Sequence, residues 1–341
     1  MLTVGLEPQG IDIRTMAELA AAADAAGLAG VWAPELYDRS ATISAAAMIG
    51  ATERIGVGTS IAYGVGRSPL TLAAEARDLD DLSGGRFVLG LGNGTRRMIS
   101  DWHGQDPSAP AVRMEELVTL VRKLWRMHEG PVEHDGRFYR VRLQVTGSVA
   151  APARQIPIYT AGVNPRMIET AGRAADGLLG HVLFTTGYIS DVVLPAIDRG
   201  ARHTDRSPAD VTIASLVLAA VSDDVAQARR EVAAQIAFYA SAKTYAPLLQ
   251  TIGFGAQALS IREAFGRGDL AGMVAAVTDR MIDALAVAGT VDDVRAGLRR
   301  YEGLLDHAIL YVPSFQLSPA RVRESALGLI EAFAANAPVS G

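Results

Sequence analysis

Short apolar runs alternate with longer segments of helical periodicity along the chain. This alternation is typical of a parallel sheet wound with crossover helices. Eight strands are predicted, near residues 3–7, 30–34, 54–62, 87–92, 156–161, 177–180, 211–221 and 307–312. The chain has 341 residues, 49% of them apolar, which is enough for an α/β barrel in one domain spanning 1–341.

Capping residues mark the expected helix boundaries. Helices should start at Thr15 with Glu18 three residues later, Ser68 before Pro69, Asn164 before Pro165, Ser222 before Asp223 and Asp224, and Thr290 before Asp292. Ends are expected at Gly27, at Gly84 with Gly85, and at Gly177, because a left-handed residue closes a helix at least cost when it is glycine.

Two stretches, 93–157 and 241–279, are longer than ordinary loops. The first should contain a helix near 114–128 and a hairpin around Asp135 and Gly136. Insertions of this length in a barrel usually build a lid or an oligomer contact.

Composition narrows the classes of function. The chain has no cysteine, which excludes disulfides, thiolate metal sites and cysteine nucleophiles. The net charge is −5 and the basic residues are scattered, so we expect a small-molecule partner and no nucleic acid. The six histidines lack metal-ligand spacing, so no metal site is predicted. No charged leader and no run of about 18 apolar residues is found, so we expect a cytoplasmic protein without membrane contact.

Residues that follow barrel strands are the best candidates for a functional role, because the active site of a barrel forms at the carboxyl ends of the strands. Glu7 ends the first strand and can act as a general acid or base, or as a structural ion-pair partner. Tyr37 and Asp38 follow the second strand and can contact a ligand or belong to a solvated loop.

Three further strand ends are candidate ligand sites. Glycines after the third strand favour a backbone that approaches a flat ligand, although a plain turn has the same composition. The run Gly90-Leu91-Gly92 lacks the third glycine and the acidic residue of a dinucleotide fingerprint. Amides around Asn164 can hold a phosphate at a helix start or serve only as a cap, and His181 is the histidine placed nearest a ligand.

Residues 58–69 and 80–92, the latter reading DDLSGGRFVLGLG, resemble the signature of luciferase-like monooxygenases and their deazaflavin-dependent relatives. Residues 4–7, 156–159, 170–177 and 289–293 are similar to methylenetetrahydromethanopterin reductase. The resemblance implies a (β/α)₈ TIM barrel of the bacterial luciferase type, with insertions near 93–157 and 241–279. It also implies coenzyme F420 at the carboxyl ends of the strands, its ring backed by a bulge with a cis peptide at Ser60-Ile61.

The same resemblance assigns the site residues. Glu7 stands where the reductase has a catalytic carboxylate, with Tyr37 and Asp38 as further catalytic candidates. The expected cofactor contacts are Glu35, Ser60, Ile61, Ala62, Tyr63, Asn93, Thr95, Ala161, Gly162, Val163, Asn164, Gly180 and His181. Two positions depart from the family: Glu35-Leu36 replaces an acid-histidine pair, and Thr95 replaces an acidic residue, which leaves the substrate open.

The predicted activity is hydride transfer between reduced coenzyme F420 and a small organic substrate. The alternatives are a luciferase-like monooxygenase that uses FMN on the same barrel, and a barrel that binds a cofactor without catalysis. A homodimer is expected, because early helices of this superfamily usually pack across a two-fold axis.

Overall fold

The structure is a computed structural model that describes residues 2–334. The strands are β1 (Thr3–Glu7), β2 (Gly30–Ala33), β3 (Gly56–Thr59), β4 (Ala62–Tyr63), β5 (Phe87–Gly92), β6 (Val132–Asp135), β7 (Arg140–Leu143), β8 (Ile158–Ala161), β9 (Gly177–Gly180), β10 (Thr212–Val221), β11 (Ala286–Gly289) and β12 (His307–Tyr311). The α-helices are α1 (Ile13–Ala26), α2 (Ala41–Gly50), α3 (Pro69–Ser83), α4 (Pro110–Trp125), α5 (Pro165–Ala174), α6 (Thr186–Tyr188), α7 (Leu194–Arg202), α8 (Val225–Ser241), α9 (Ala246–Thr251), α10 (Gly255–Gly266), α11 (Leu270–Ala275), α12 (Asp279–Leu285), α13 (Val291–Leu298) and α14 (Pro319–Ala332).

The eight predicted strands are confirmed as β1, β2, β3, β5, β8, β9, β10 and β12. The predicted hairpin is also confirmed, since β6 and β7 pair antiparallel with His134 opposite Val141. Strand β11 was not predicted, because its sequence Ala-Val-Ala-Gly is short and composed of small residues.

The chain divides into two compact units, and the prediction of a single domain over 1–341 stays a prediction. Unit 1 comprises residues 2–32, 180–195 and 213–334 of the described chain, and unit 2 comprises residues 33–179 and 196–212. In unit 1 the strands β11, β10, β12, β1 and β2 are neighbours in that order, all parallel. In unit 2 the order is β3, β5, β8 and β9, with β4 also parallel on β5.

Helices cover the strands within each unit. In unit 1, α1 packs on α14, and α8 and α13 both lie against β11. In unit 2, the helices α2, α3, α4 and α5 pack consecutively as neighbours. Because the strand pairs named above for each unit are all parallel, the carboxyl ends of neighbouring strands within a unit lie at the same edge.

Two of the five predicted helix starts are wrong. Helix α1 is capped by Asp12, whose carboxylate accepts hydrogen bonds from the backbone N–H groups of Arg14 and Thr15, so Thr15 lies inside the first turn. Helix α8 is capped by Asp224, while the hydroxyl of Ser222, two residues earlier, accepts from the Asp224 amide. In both cases an aspartate occupies the N-cap position and accepts from a free amide of the first turn.

The other three starts are confirmed, because Ser68, Asn164 and Thr290 each accept a hydrogen bond from the amide three residues later.

The predicted helix ends at Gly27 and Gly84 are confirmed, with φ of 78° and 65°. The predicted end at Gly177 is wrong, since α5 ends at Ala174 and Gly177 opens β9. A Cβ at Gly177 would stand 2.6 Å from Cδ1 of Tyr159, so this glycine is required by a close ring rather than by a left-handed turn.

The two insertions are folded segments. Residues 93–157 contain a π-helical turn (Met98–Trp102), the long helix α4 and the β6–β7 hairpin. Residues 241–279 are mainly helical, with a 3₁₀ turn (Lys243–Tyr245) followed by α9, α10 and α11. Their role as a lid or an oligomer contact stays a prediction.

Candidate active site

Glu7 is the last residue of β1 and its side chain is completely buried. Nε2 of Gln9 donates a hydrogen bond to Oε1 of Glu7 at 2.7 Å. The parallel register places Glu7 opposite Tyr311, the last residue of β12, and the Tyr311 hydroxyl donates to Oε1 of Gln9 at 3.1 Å. Two strand ends and the turn after β1 therefore hold the carboxylate in a fixed orientation.

The hydrogen-bond chain continues from Tyr311 into helix α8. The hydroxyl of Tyr239 donates to that of Tyr311 at 2.8 Å, and Nε2 of Gln235 lies 3.4 Å from the same oxygen. Burial raises the pKa of Tyr311 far above its ordinary value, and the Glu7 carboxylate raises it further. Burial likewise raises the pKa of Tyr239, so both phenols keep their protons and donate toward Glu7.

His181 follows β9 directly and lies between two tyrosine rings of the same unit. Its ring centroid is 4.5 Å from that of Tyr245 and 4.8 Å from that of Tyr239. Nδ1 accepts a hydrogen bond from the Leu183 amide at 3.3 Å. Burial lowers the pKa of His181 to about 3, so the ring is neutral near pH 7 and carries its proton on Nε2.

Gly180 precedes His181, and a Cβ there would stand 2.8 Å from Cβ of Ser215. Its predicted contact with the cofactor stays a prediction.

In unit 2 the edge of β3 carries the predicted bulge, and the Ser60-Ile61 peptide is cis, which confirms that prediction. Strand β3 pairs with β5 up to Gly58 and Val88, and pairing resumes where Ala62 meets Leu91. Ser60 and Ala62 are buried inside this segment.

Between these two pairings the hydroxyl of Thr59 makes the hydrogen bonds that backbone groups of a neighbouring strand would otherwise make. Its Oγ1 donates to the carbonyl oxygen of Gly90 at 2.7 Å and accepts from the Gly90 amide at 2.9 Å. The bulge therefore leaves the Gly90 backbone groups paired.

The two glycines of the Gly90-Leu91-Gly92 run lie directly against the bulge. A Cβ at Gly90 would overlap the carbonyl oxygen of Thr59, and a Cβ at Gly92 would overlap Cδ1 of Ile61. The run is thus explained by the packing of the bulge on β5, a requirement that the sequence alone did not reveal.

Glu35 connects the loop after β2 to the same segment. Its Oε2 accepts from the amide of Tyr63 and from Nη1 of Arg67, both at 2.9 Å. Nη2 of Arg67 donates to Oγ of Ser40 at 3.1 Å, and its Nε pairs with Glu75 at 3.0 Å. Glu35 therefore positions the bulge, and its predicted contact with a cofactor is untested.

Tyr37 and Asp38 lie in a tight turn between Leu36 and Arg39. Tyr37 is 78% exposed and its ring makes an edge contact with Trp102 at 5.7 Å between centroids. Asp38 is also exposed, 4.0 Å from the Arg39 guanidinium. Their catalytic assignment stays a prediction.

Asn93 and the start of α5 lie together at the carboxyl edge of β5 and β8. Nδ2 of Asn93 donates to the carbonyl oxygen of Pro110 at 3.1 Å and lies 3.9 Å from Sδ of Met167. Ala161 ends β8, and a Cβ at Gly162 would stand 2.9 Å from the backbone of Met167, so the tight turn into α5 requires glycine there.

Val163 and Asn164 complete this turn, and the Asn164 side chain caps α5. Thr95 Oγ1 accepts from the amide of Met98, the first residue of the π-helical turn, at 3.2 Å.

Sequence reasoning missed four side chains around Glu7: Gln9, Tyr239, Tyr245 and Tyr311. Gln9 follows the first predicted strand and Tyr311 lies at the end of the last one, so the rule that favours strand ends can find them. Tyr239 lies in α8 and Tyr245 in the following 3₁₀ turn, where no local pattern marks them.

Among residues 2–334, no group of three or more His, Asp or Glu side chains is placed to hold a metal ion. Within the same described residues, no helix has the length and apolar character needed to cross a membrane.

Parallel strands followed by helices, with polar side chains at the strand ends, define an α/β protein, a class in which ligand sites usually lie at the carboxyl edge of the strands. The model of the luciferase-like monooxygenase family matches residues 2–308, and the chain belongs to this family.

The chain is similar to several proteins in sequence and structure. An uncharacterized protein of Mycobacterium tuberculosis is 32% identical over 307 residues, covering 86% of this chain and 90% of that protein. A putative coenzyme F420-dependent oxidoreductase of the same organism is 28% identical, covering 84% and 87%. The structure of coenzyme F420 dependent tetrahydromethanopterin reductase from Methanopyrus kandleri matches with a TM-score of 0.78 at 24% identity, covering 96% and 97%. The chain has the (β/α)₈-barrel fold of luciferase-like proteins.

Proposed function

We propose that the chain is an oxidoreductase that transfers hydride between reduced coenzyme F420 and a small organic substrate. The observation that carries the proposal is the buried carboxylate of Glu7, held at the end of β1 by Gln9. The similarity to a putative F420-dependent oxidoreductase over 84% of the chain supports the choice of cofactor.

Glu7 is proposed to deliver or remove the proton that accompanies hydride transfer. A general acid or base must be positioned to reach the proton that it transfers, and shielding from bulk water strengthens its electrostatic interactions. Gln9 and Tyr311 provide the orientation, and complete burial provides the shielding.

The residues of unit 2 fit a flat cofactor with an anionic side chain. The segment from Ser60 to Ala62 is proposed to lie against the cofactor ring. Glu35 and Gly92 fix the shape of this segment. When bound, a deazaflavin supplies or accepts the hydride.

At the start of α5, Pro165 has no N–H, and the Asn164 side chain accepts a hydrogen bond from the amide of Met167. The amide of Arg166 is therefore the one proposed to donate to a phosphate oxygen. The amides around residues 161–164 are proposed to contribute as well.

Titration of the purified protein with F420 and with FMN tests the proposal. We expect a change in F420 fluorescence that saturates at micromolar concentration, and no oxygen consumption in the presence of reduced cofactor. Tighter binding of FMN with oxygen consumption would favour the monooxygenase alternative. Binding of F420 without turnover over a panel of substrates would favour the non-catalytic barrel. The homodimer and the cytoplasmic location stay predictions.

A further inference from the structure

Five aromatic side chains of unit 1 form a continuous set of ring contacts, here called the aromatic cluster: His181, Phe238, Tyr239, Tyr245 and Phe315. His181 contacts both tyrosines, and the Tyr239 and Tyr245 centroids are 5.8 Å apart. Phe238 contacts Tyr239 at 5.3 Å and Phe315 at 5.0 Å. These rings come from a strand end, a helix, a 3₁₀ turn and the segment after β12.

The aromatic cluster is accessible at its margin. Phe238 is 44% exposed, and His181, Tyr239, Tyr245 and Phe315 are partly exposed. Exposed aromatic side chains that adjoin polar groups commonly mark a ligand-binding surface.

Two hydrogen-bond donors of the aromatic cluster are available to a ligand. The Leu183 amide occupies Nδ1 of His181, so its proton lies on Nε2. Within residues 2–334, neither this N–H nor the Tyr245 hydroxyl donates to a protein group. The Tyr239 hydroxyl donates its hydrogen bond to Tyr311.

The cluster is neutral. Burial lowers the pKa of His181 to about 3 and raises the pKa of Tyr245 to about 12, so both are uncharged at pH 7. In the part of the chain that the structure describes, the hydrogen bonds and ring contacts of His181, Tyr239 and Tyr245 involve no Lys, Arg, Asp or Glu side chain. A phosphate or carboxylate would find no counter-charge among these groups.

We propose that the aromatic cluster is the substrate subsite, and that it takes a flat, uncharged molecule whose oxygen acceptor receives hydrogen bonds from His181 and Tyr245. The inference rests on the proposed function, because the substrate must lie near Glu7. Tyr239 provides the connection, since it belongs to the cluster and starts the hydrogen-bond chain through Tyr311 and Gln9 to Glu7. The subsite replaces the cofactor contact predicted for His181 from the sequence.

Three small molecules of similar shape test the assignment. Their binding is measured by ligand-observed NMR, so the test does not depend on enzymatic turnover. Acetophenone has the carbonyl acceptor, α-methylstyrene replaces its oxygen with a methylene group, and benzoate adds a charge. We expect acetophenone to bind about ten- to a hundredfold more tightly than α-methylstyrene, the value of two neutral hydrogen bonds. Benzoate should bind more weakly than acetophenone.

Two variants locate the binding. Tyr245→Phe and His181→Phe keep a ring and remove a donor, and each should weaken acetophenone binding about three- to tenfold while leaving α-methylstyrene unchanged. Tyr301→Phe, a buried tyrosine whose hydroxyl lies 3.3 Å from Arg300, is the matched control and should change neither. F420 titration of the same preparations should give wild-type affinity.

Equal binding of benzoate and acetophenone, or no binding of either by wild-type protein, overturns the subsite. A His181→Phe variant that loses F420 affinity but keeps acetophenone affinity also overturns it and restores the cofactor contact. If the wild-type protein binds no F420 but shows the expected probe pattern, the ligand subsite is supported and the proposed function fails.

Discussion

The carboxylate of Glu7 and the amide of Gln9 are joined by a hydrogen bond of 2.7 Å at the end of β1. Gln9 in turn accepts from Tyr311 on the neighbouring strand. The orientation of the acid is therefore set by residues of its own unit.

Replacing Glu7 with Gln should lower turnover by about 10²–10⁴, the usual contribution of general acid-base catalysis. The fold and the affinity for F420 should be kept, because the amide preserves the shape of the side chain. Turnover, melting temperature and F420 affinity should be measured on one preparation.

Glu231→Gln is the matched control for Glu7→Gln. Glu231 is another buried carboxylate, paired with Arg321 at 2.7 Å. Its loss should lower stability by about 1–3 kcal/mol and leave kcat unchanged. Wild-type turnover in the Glu7→Gln variant would remove Glu7 from the mechanism.

Replacing Gly92 with Ala should distort the bulge, because the added methyl group would overlap the Ile61 side chain. We expect a loss of about 1–3 kcal/mol in the free energy of unfolding and weaker F420 binding. The double variant Gly92→Ala with Ile61→Ala should recover part of both losses, since the overlapping atom is gone. Urea denaturation and F420 titration measure the two effects.

Gly50→Ala is the control for the added methyl group, because a Cβ at Gly50 meets no atom within 4 Å. Additive losses in the double variant would show that Gly92 and Ile61 do not interact.

Replacing Asn164 with Ala should weaken F420 binding more than its effect on stability explains. Asn164 caps α5 at the expected phosphate position, and loss of a cap costs about 1 kcal/mol. Ser318→Ala removes an equivalent cap, also followed by proline, from α14. Both variants should lose similar stability, and only Asn164→Ala should lose F420 affinity. Equal affinities in the two variants would exclude α5 as the anchor of the cofactor.

Stability should fall as the pH is lowered from about 6.5 to about 4. Burial lowers the pKa of His307 to about 4, and its neutral Nε2 accepts a hydrogen bond from Trp32 at 3.0 Å. An unfolded histidine titrates near 6.5, so between these values the unfolded state binds more protons and gains stability relative to the folded state. The loss is at most about 3 kcal/mol at the acid end.

Urea denaturation from pH 4 to 8 measures this dependence. The variant His307→Gln should show a shallower slope, while His181, with a pKa of about 3, should still contribute in the same direction. Identical slopes in the two proteins would mean that His307 is not the group responsible.

The strands were predictable because hydrophobic periodicity is a local property, and all eight predicted strands form. The starts of α1 and α8 were not, because Thr15 and Ser222 compete with the nearby aspartates Asp12 and Asp224, and only geometry decides which oxygen reaches the free amides. Boundaries are therefore less certain than the elements themselves.

The surroundings of Glu7 were only partly predictable for a related reason. Tyr239 is separated from Tyr311 by 72 residues, so their hydrogen bond depends on how α8 packs. The sequence shows Gly90 and Gly92 as a motif. The reason that glycine is needed there is their packing against a bulge about 31 residues earlier in the chain.

The bulge after β3 has a consequence for protein engineering. Because a threonine hydroxyl satisfies the backbone of Gly90, the segment cannot be moved into another barrel as a single loop. Thr59 and Ile61 would have to be grafted together with the facing glycines Gly90 and Gly92. A graft with valine in place of Thr59 would leave the amide and the carbonyl of Gly90 buried without these partners. The cost would be about 1–3 kcal/mol for each group. Successful transplantation thus depends on four positions, two in the bulge segment and two on β5.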